Sequence, residues 1–126
     1  MAEYKFSKSH EWVSVEGNIV TIGITSYAQK ELGDIVFIEL PRIGEKFKQS
    51  GRFGTIESTK AASDLYCPVS GEVVAVNTEL NKKPQLVNEN PLAQGWMIRV
   101  KLENTAELNT LMNEVEYITF IAHEKH

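Results

Sequence analysis

GRFGTIESTKAASDLYCPVSGEVVAVN, residues 51–77, is the stretch on which the fold turns. Residues 54–58 and 63–66 are strand-like and flank Thr59-Lys60-Ala61, which predicts a hairpin with Lys60 displayed at its tip. Pro68 and Gly71 punctuate the next turn, and residues 72–76 alternate as a further strand. A charged residue at an exposed turn has an ordinary explanation, since it keeps the surface solvated. Spacing alone therefore leaves Lys60 as a solubilising group.

Working outward, residues 13–15 and 19–24 alternate around Glu16-Gly17-Asn18 and predict a second hairpin, preceded by the short alternating segment Tyr4-Lys5-Phe6. Ser26-x-x-Gln29 has the form of a capping box and Gly33 suits a helix end, so a two-turn helix is expected over 26–32. The apolar, β-branched run 35–40, stopped by Pro41, reads as a buried strand. Ile43-Gly44-Glu45 and Val69-Ser70-Gly71-Glu72 echo one another weakly, as two packed halves of a sandwich would. Residues 78–90 read as a polar loop anchored only by Leu86-Val87, and residues 95–102 as a final strand with Trp96, Ile98, Val100 and Leu102 on one face. Asn104-x-x-Glu107 and Asn113-x-x-Glu116 predict two short C-terminal helices, ending in a polar tail at about 123–126.

The 126 residues fit one domain, 1–126, with an expected radius of gyration of about 14 Å. A hydrophobic fraction of 42% and a charged fraction of 24% argue for a folded core and against disorder. The net charge of -4 opposes phosphate backbones, and the lysine clusters lack interleaved aromatics, so no nucleic-acid partner is expected. Mild acidity instead suits docking onto basic protein faces. No apolar run spans a bilayer, and the N-terminus has neither an apolar signal region nor an arginine-rich segment. Cys67 is the single cysteine, which rules out an internal disulfide, and a buried or half-buried thiol is expected.

Glu57-Ser58-Thr59-Lys60-Ala61, followed by Ser63-Asp64 and Pro68-Val69-Ser70-Gly71-Glu72-Val73, resembles the lipoyl-lysine hairpin of the glycine cleavage system H protein family. So do His10-Glu11-Trp12, the segments 23–29 and 32–41, and the order Pro84, Leu86, Asn88, Pro91, Gly95-Trp96. The resemblance runs from about residue 4 to 121. Ser26 departs from an expected acidic residue and Leu92 from a common aromatic one. Coverage separates this pattern from the shorter lipoyl domains of 2-oxoacid dehydrogenases. Thr59 and Ala61 replace the methionines that usually flank the lysine of a biotin carrier.

The resemblance implies a mainly β (α+β) fold, a lipoyl/biotinyl-type β-sandwich or barrel-sandwich hybrid, working as a carrier and not a catalyst. It implies (R)-lipoate amide-linked to Lys60, with Glu57, Ser58, Thr59 and Ala61 framing the hairpin for a lipoate ligase or a lipoyl/octanoyl transferase. Its implied partners are the P-protein, which loads an aminomethyl group, the T-protein, which passes it to tetrahydrofolate, and the flavin-dependent L-protein, which restores the disulfide. Ser9, Glu11 and Asp64 are implied as docking residues for the loaded arm, keeping its nitrogen protonated. On their own, these three read as a turn serine, an exposed strand glutamate and a hairpin-border aspartate. A monomer is expected, in the bacterial cytoplasm or, for a processed eukaryotic chain, in the mitochondrial matrix. Two other functions stand beside glycine cleavage: a lipoyl relay to 2-oxoacid dehydrogenase subunits, and an unmodified interaction module of the same fold.

Overall fold

The computed structural model describes residues 3–124. In chain order the elements are β1 (Glu3–Phe6), β2 (Glu11–Glu16), β3 (Ile19–Ile24), α1 (Ser26–Leu32), β4 (Ile35–Glu39), β5 (Lys46–Phe47) and β6 (Arg52–Ser58). They continue as β7 (Ala62–Tyr66), β8 (Gly71–Val76), α2 (Glu79–Lys82), α3 (Leu86–Glu89), β9 (Ile98–Leu102), a 3-10 helix (Thr105–Thr110) and α4 (Glu114–Glu124). Two antiparallel sheets result, one ordered β1-β2-β3-β9-β8-β5 and the other β4-β6-β7.

The expected sandwich is present because the alternating apolar residues of both sheets face one another. Val13, Val20, Ile22, Ile98 and Val100 from the larger sheet meet Ile35, Ile38, Ile56 and Leu65 from the smaller one. Each such buried aliphatic side chain contributes about 1.5–3 kcal/mol. The β2–β3 hairpin closes across Gly17-Asn18 with Glu16 opposite Ile19, and Gly17 takes a φ of 64° that suits glycine. The short strand that follows the first echoing segment pairs with the second, Lys46 opposite Glu72 and Phe47 opposite Gly71. Gly54 lets β4 and β6 close up, since a Cβ there would fall 2.2 Å from the Glu39 carbonyl oxygen.

Several local expectations are corrected. Residues 35–40 are not a buried strand: β4 is an edge, and a register shift between Ile35 and Phe37 turns Val36 and Phe37 outward while Ile35 and Ile38 face the core. The loop at 78–90 folds into α2 and α3, and Leu80 is as fully buried as Val87, so Leu86-Val87 is not its only anchor. Trp96 precedes β9 and Met97 is the buried neighbour. Helix α1 has the expected bounds, yet its cap is Thr25, whose Oγ1 accepts from the Ala28 amide. Glu107 does not close a capping box; its carboxylate accepts from the Ser70 amide and hydroxyl at 2.7 and 2.8 Å, pinning the turn before β8. Asn113 and Glu116 do form the reciprocal box that starts α4. That helix absorbs His123 and Glu124 from the expected tail, and residues 125–126 lie outside the described residues.

Candidate functional site

Strands β6 and β7 pair from Arg52 opposite Tyr66 to Glu57 opposite Ala62, leaving residues 59–61 as the tip. Ser58 closes it: its amide donates to the Ala61 carbonyl at 2.8 Å, while its Oγ accepts from the Lys60 and Ala61 amides at 3.2 and 3.0 Å. The Thr59 amide donates to the Asp34 carbonyl at 3.0 Å, tying the tip to the turn after α1. Lys60 itself is exposed, and its aliphatic stem rests on Gly33, where a Cβ would sit 3.3 Å from Lys60 Cε. Of the frame residues, Ser58, Thr59 and Ala61 engage through these bonds. Glu57 projects from an exposed position in register with Phe37 and Ala62.

Asn88 steadies the platform beneath the tip. Its Nδ2 donates to Gln29 Oε1 and to the Gly33 carbonyl, both at 2.9 Å, and its Oδ1 accepts from the Ile35 amide at 2.9 Å. Nothing in the sequence pointed to this role, because the partners lie 53–59 positions away.

A second region lies further along β7, where Tyr66 stands four residues beyond Ala62, about 13 Å along the strand. There a cleft of about 640 Å³ opens between residues 6–9, 49–50, 66–68 and 110–112. Glu11 is 1% exposed, which corrects its placement on an open strand face. Oε1 accepts from Ser7 Oγ at 2.6 Å and from Ser9 Oγ, and Oε2 accepts from the Tyr66 amide at 3.1 Å. Burial pushes this carboxyl above its ordinary pKa, with the hydrogen bonds from Ser7, Ser9 and Tyr66 opposing that rise. Ser9 and Glu11 are thus in direct contact. Asp64 joins only through the Tyr66 hydroxyl, 3.4 Å from its Oδ2. Ser7 and Tyr66 were missed; Tyr66 could have been found from its two-residue spacing to Asp64, which puts both on one face of β7.

His10 adopts a φ of 72° and is not among the cleft-lining residues; its ring meets the C-terminal helix instead. Nδ1 lies 2.8 Å from the Tyr117 hydroxyl, Nε2 lies 2.8 Å from Glu124 Oε2, and the Tyr117 hydroxyl is 2.6 Å from Thr25 Oγ1. Burial pushes the Tyr117 phenol up to about 12. Cys67, in the cleft wall, is fully buried and its thiol is likewise pushed up to about 12, mainly by burial. Among the described residues no group of histidine, cysteine and carboxylate side chains could hold a metal ion, and no helix is long and apolar enough to cross a membrane.

A two-sheet sandwich with an exposed, backbone-framed lysine at a hairpin tip defines the class of lysine-bearing carrier domains. The sequence profile of the family described as "Glycine cleavage H-protein" matches residues 4–124, and the chain belongs to that family. It is 54% identical over 122 residues to a glycine cleavage system H protein of Carboxydothermus hydrogenoformans, covering 97% of this chain and 94% of that one. It is 51% identical over 119 residues to one of Symbiobacterium thermophilum, covering 94% and 93%. The crystal structure of a glycine cleavage system H protein from Mycobacterium marinum superposes with a TM-score of 0.88 at 33% identity, covering 95% of this chain and 97% of that one. The family resemblance in the sequence and the sandwich fold are both upheld.

Proposed function

We propose that this chain is the lipoyl-lysine carrier of a glycine cleavage system, with (R)-lipoate amide-linked to Lys60. One observation carries the reading: Lys60 is exposed at a tip held by Ser58 and Thr59, with its stem on a glycine whose missing Cβ leaves room for it. A rigid backbone frame around an accessible lysine is what an attaching enzyme needs in order to select it. When bound, the dithiolane supplies a disulfide that opens to hold a one-carbon amine fragment and is closed again by an oxidising partner.

The chain's own residues provide position and shelter. Gly33, Asp34 and Ser58 hold the root of the arm. For its far end, Ser9 lines the cleft, Glu11 is buried against Ser7 and Ser9, and Asp64 stands outside the cleft, joined through the Tyr66 hydroxyl, with the cleft excluding part of the solvent. A carboxylate in such a setting favours a protonated amine and so withholds the lone pair that would expel the cargo. Glu11 acts there from the floor, through its contacts with Ser9 and the Tyr66 amide.

The partners of this reading are the P-, T- and L-proteins and a lipoate-attaching enzyme. The bacterial relatives support a cytoplasmic setting. The family assignment favours glycine cleavage over the relay and over the unmodified module. Intact-mass measurement with fragmentation, on protein purified from its native host grown with lipoate, tests it. A lipoyl increment on Lys60 is expected; a biotinyl increment, or a lysine that stays bare, overturns the reading.

A further inference from the structure

The loop at residues 7–10, whose residues 7–9 form one wall of the cleft, is gripped at both ends by the C-terminal segment. At its start Phe6 exchanges two 2.8 Å backbone hydrogen bonds with Met112, and its ring stacks on Tyr117 with centroids 4.8 Å apart. At its end the His10 ring is bracketed by the Tyr117 hydroxyl and the Glu124 carboxylate and packs against Tyr27 and Phe120. The His10 carbonyl accepts from the Thr25 amide at 3.0 Å and its amide donates to the Ser7 carbonyl at 3.1 Å.

We propose that His10 is a positioning residue for the cleft: clamped by Tyr117 and Glu124 of α4, it holds residues 7–9 so that Ser7 and Ser9 meet the Glu11 carboxylate. A histidine at a φ of 72° occupies a region that a side-chain-bearing residue keeps only when its surroundings over-determine it. That twist sends the His10 ring to α4 while Ser9 and Glu11, its two neighbours, meet at Glu11 Oε1. Without the clamp the backbone relaxes toward negative φ, and Ser9 swings relative to Glu11. The C-terminal helix then sets the shape of a cleft that it does not itself fill. The inference rests on the proposed role of this cleft in receiving the arm.

Native-state amide exchange on the full chain tests it in three variants. Tyr117→Phe keeps the ring that stacks on Phe6 and removes the hydroxyl; Glu124→Ala removes the outer acceptor, and Glu124→Gln keeps one. In Tyr117→Phe, exchange at the Glu11 and Tyr66 amides, whose acceptors are Ser7 Oγ and Glu11 Oε2, should accelerate by at least about fivefold more than at Ile56 and Val100 in the core. Glu124→Ala should follow in the same direction with a smaller change, and Glu124→Gln should stay near the parent. The cargo-loaded protein should lose its one-carbon amine several times faster in the first two variants. Uniform acceleration at all four amides, or none, overturns the clamp. Selective acceleration beside a cargo lifetime that even Glu11→Ala leaves unchanged upholds the clamp and removes the arm-docking role of the cleft.

Discussion

The hairpin tip and the loop at residues 7–11 solve opposite problems. The tip is exposed and held by four hydrogen bonds that involve Ser58 and one to the Asp34 carbonyl, four of the five donated by backbone amides. The loop buries a carboxylate, carries a left-handed histidine and is held largely by side chains from distant segments. A lysine that enzymes must reach contributes little burial to stability and is free to be chosen for chemistry. A wall that receives a charged cargo, as proposed for this one, must be organised beforehand, so stability and function would be entangled there.

Substitutions at the two regions test that contrast. Lys60→Arg should abolish lipoate attachment, read as complete loss of the mass increment, while unfolding free energy stays within about 0.5 kcal/mol of the parent; loss of folding would break the contrast at once. Glu11→Ala should leave attachment intact, yet cost about 1–3 kcal/mol in denaturant unfolding, since it strands the Tyr66 amide. The same variant should shorten the lifetime of the cargo-loaded protein.

Asn88→Ala, which removes three hydrogen bonds under the tip, should cost about 1–2 kcal/mol and slow attachment modestly without changing the cargo lifetime. For pH, the folded carboxyl of Glu11 titrates above its unfolded value, so its protonated form stabilises fully below the ordinary carboxylate range. That contribution is lost as pH rises through the raised value. The unfolding free energy of the parent relative to Glu11→Gln should therefore increase as pH is lowered. Smallest of all, Lys48→Ala breaks an exposed pair with Glu103 and should change stability by less than about 0.5 kcal/mol.

Much of the tip was legible in the sequence because its signals are local: alternation on either side, a three-residue interruption and the turn residues that follow. The hairpins and α1 were readable for the same reason. What stayed hidden depended on contacts across the chain. Val36 and Phe37 turn outward because of a bulge against β6 and an unpaired edge, which a run of apolar residues does not announce. Glu11 looked like an exposed strand residue because its burial depends on an amide 55 positions away. His123 and Glu124 looked like the start of a tail, and the fold draws them into α4, where Glu124 meets His10.

Cys67 has a consequence for electron flow. Burial pushes this thiol up to about 12, so at neutral pH it stays in the unreactive protonated form. Its sulfur is fully enclosed in the wall past which a dithiolane would travel. A lipoyl disulfide carried as proposed would meet no accessible cysteine thiol on the body to trap it as a mixed disulfide. In the proposed lipoylated form, the two electrons gained at one enzyme would remain on the arm until another removed them.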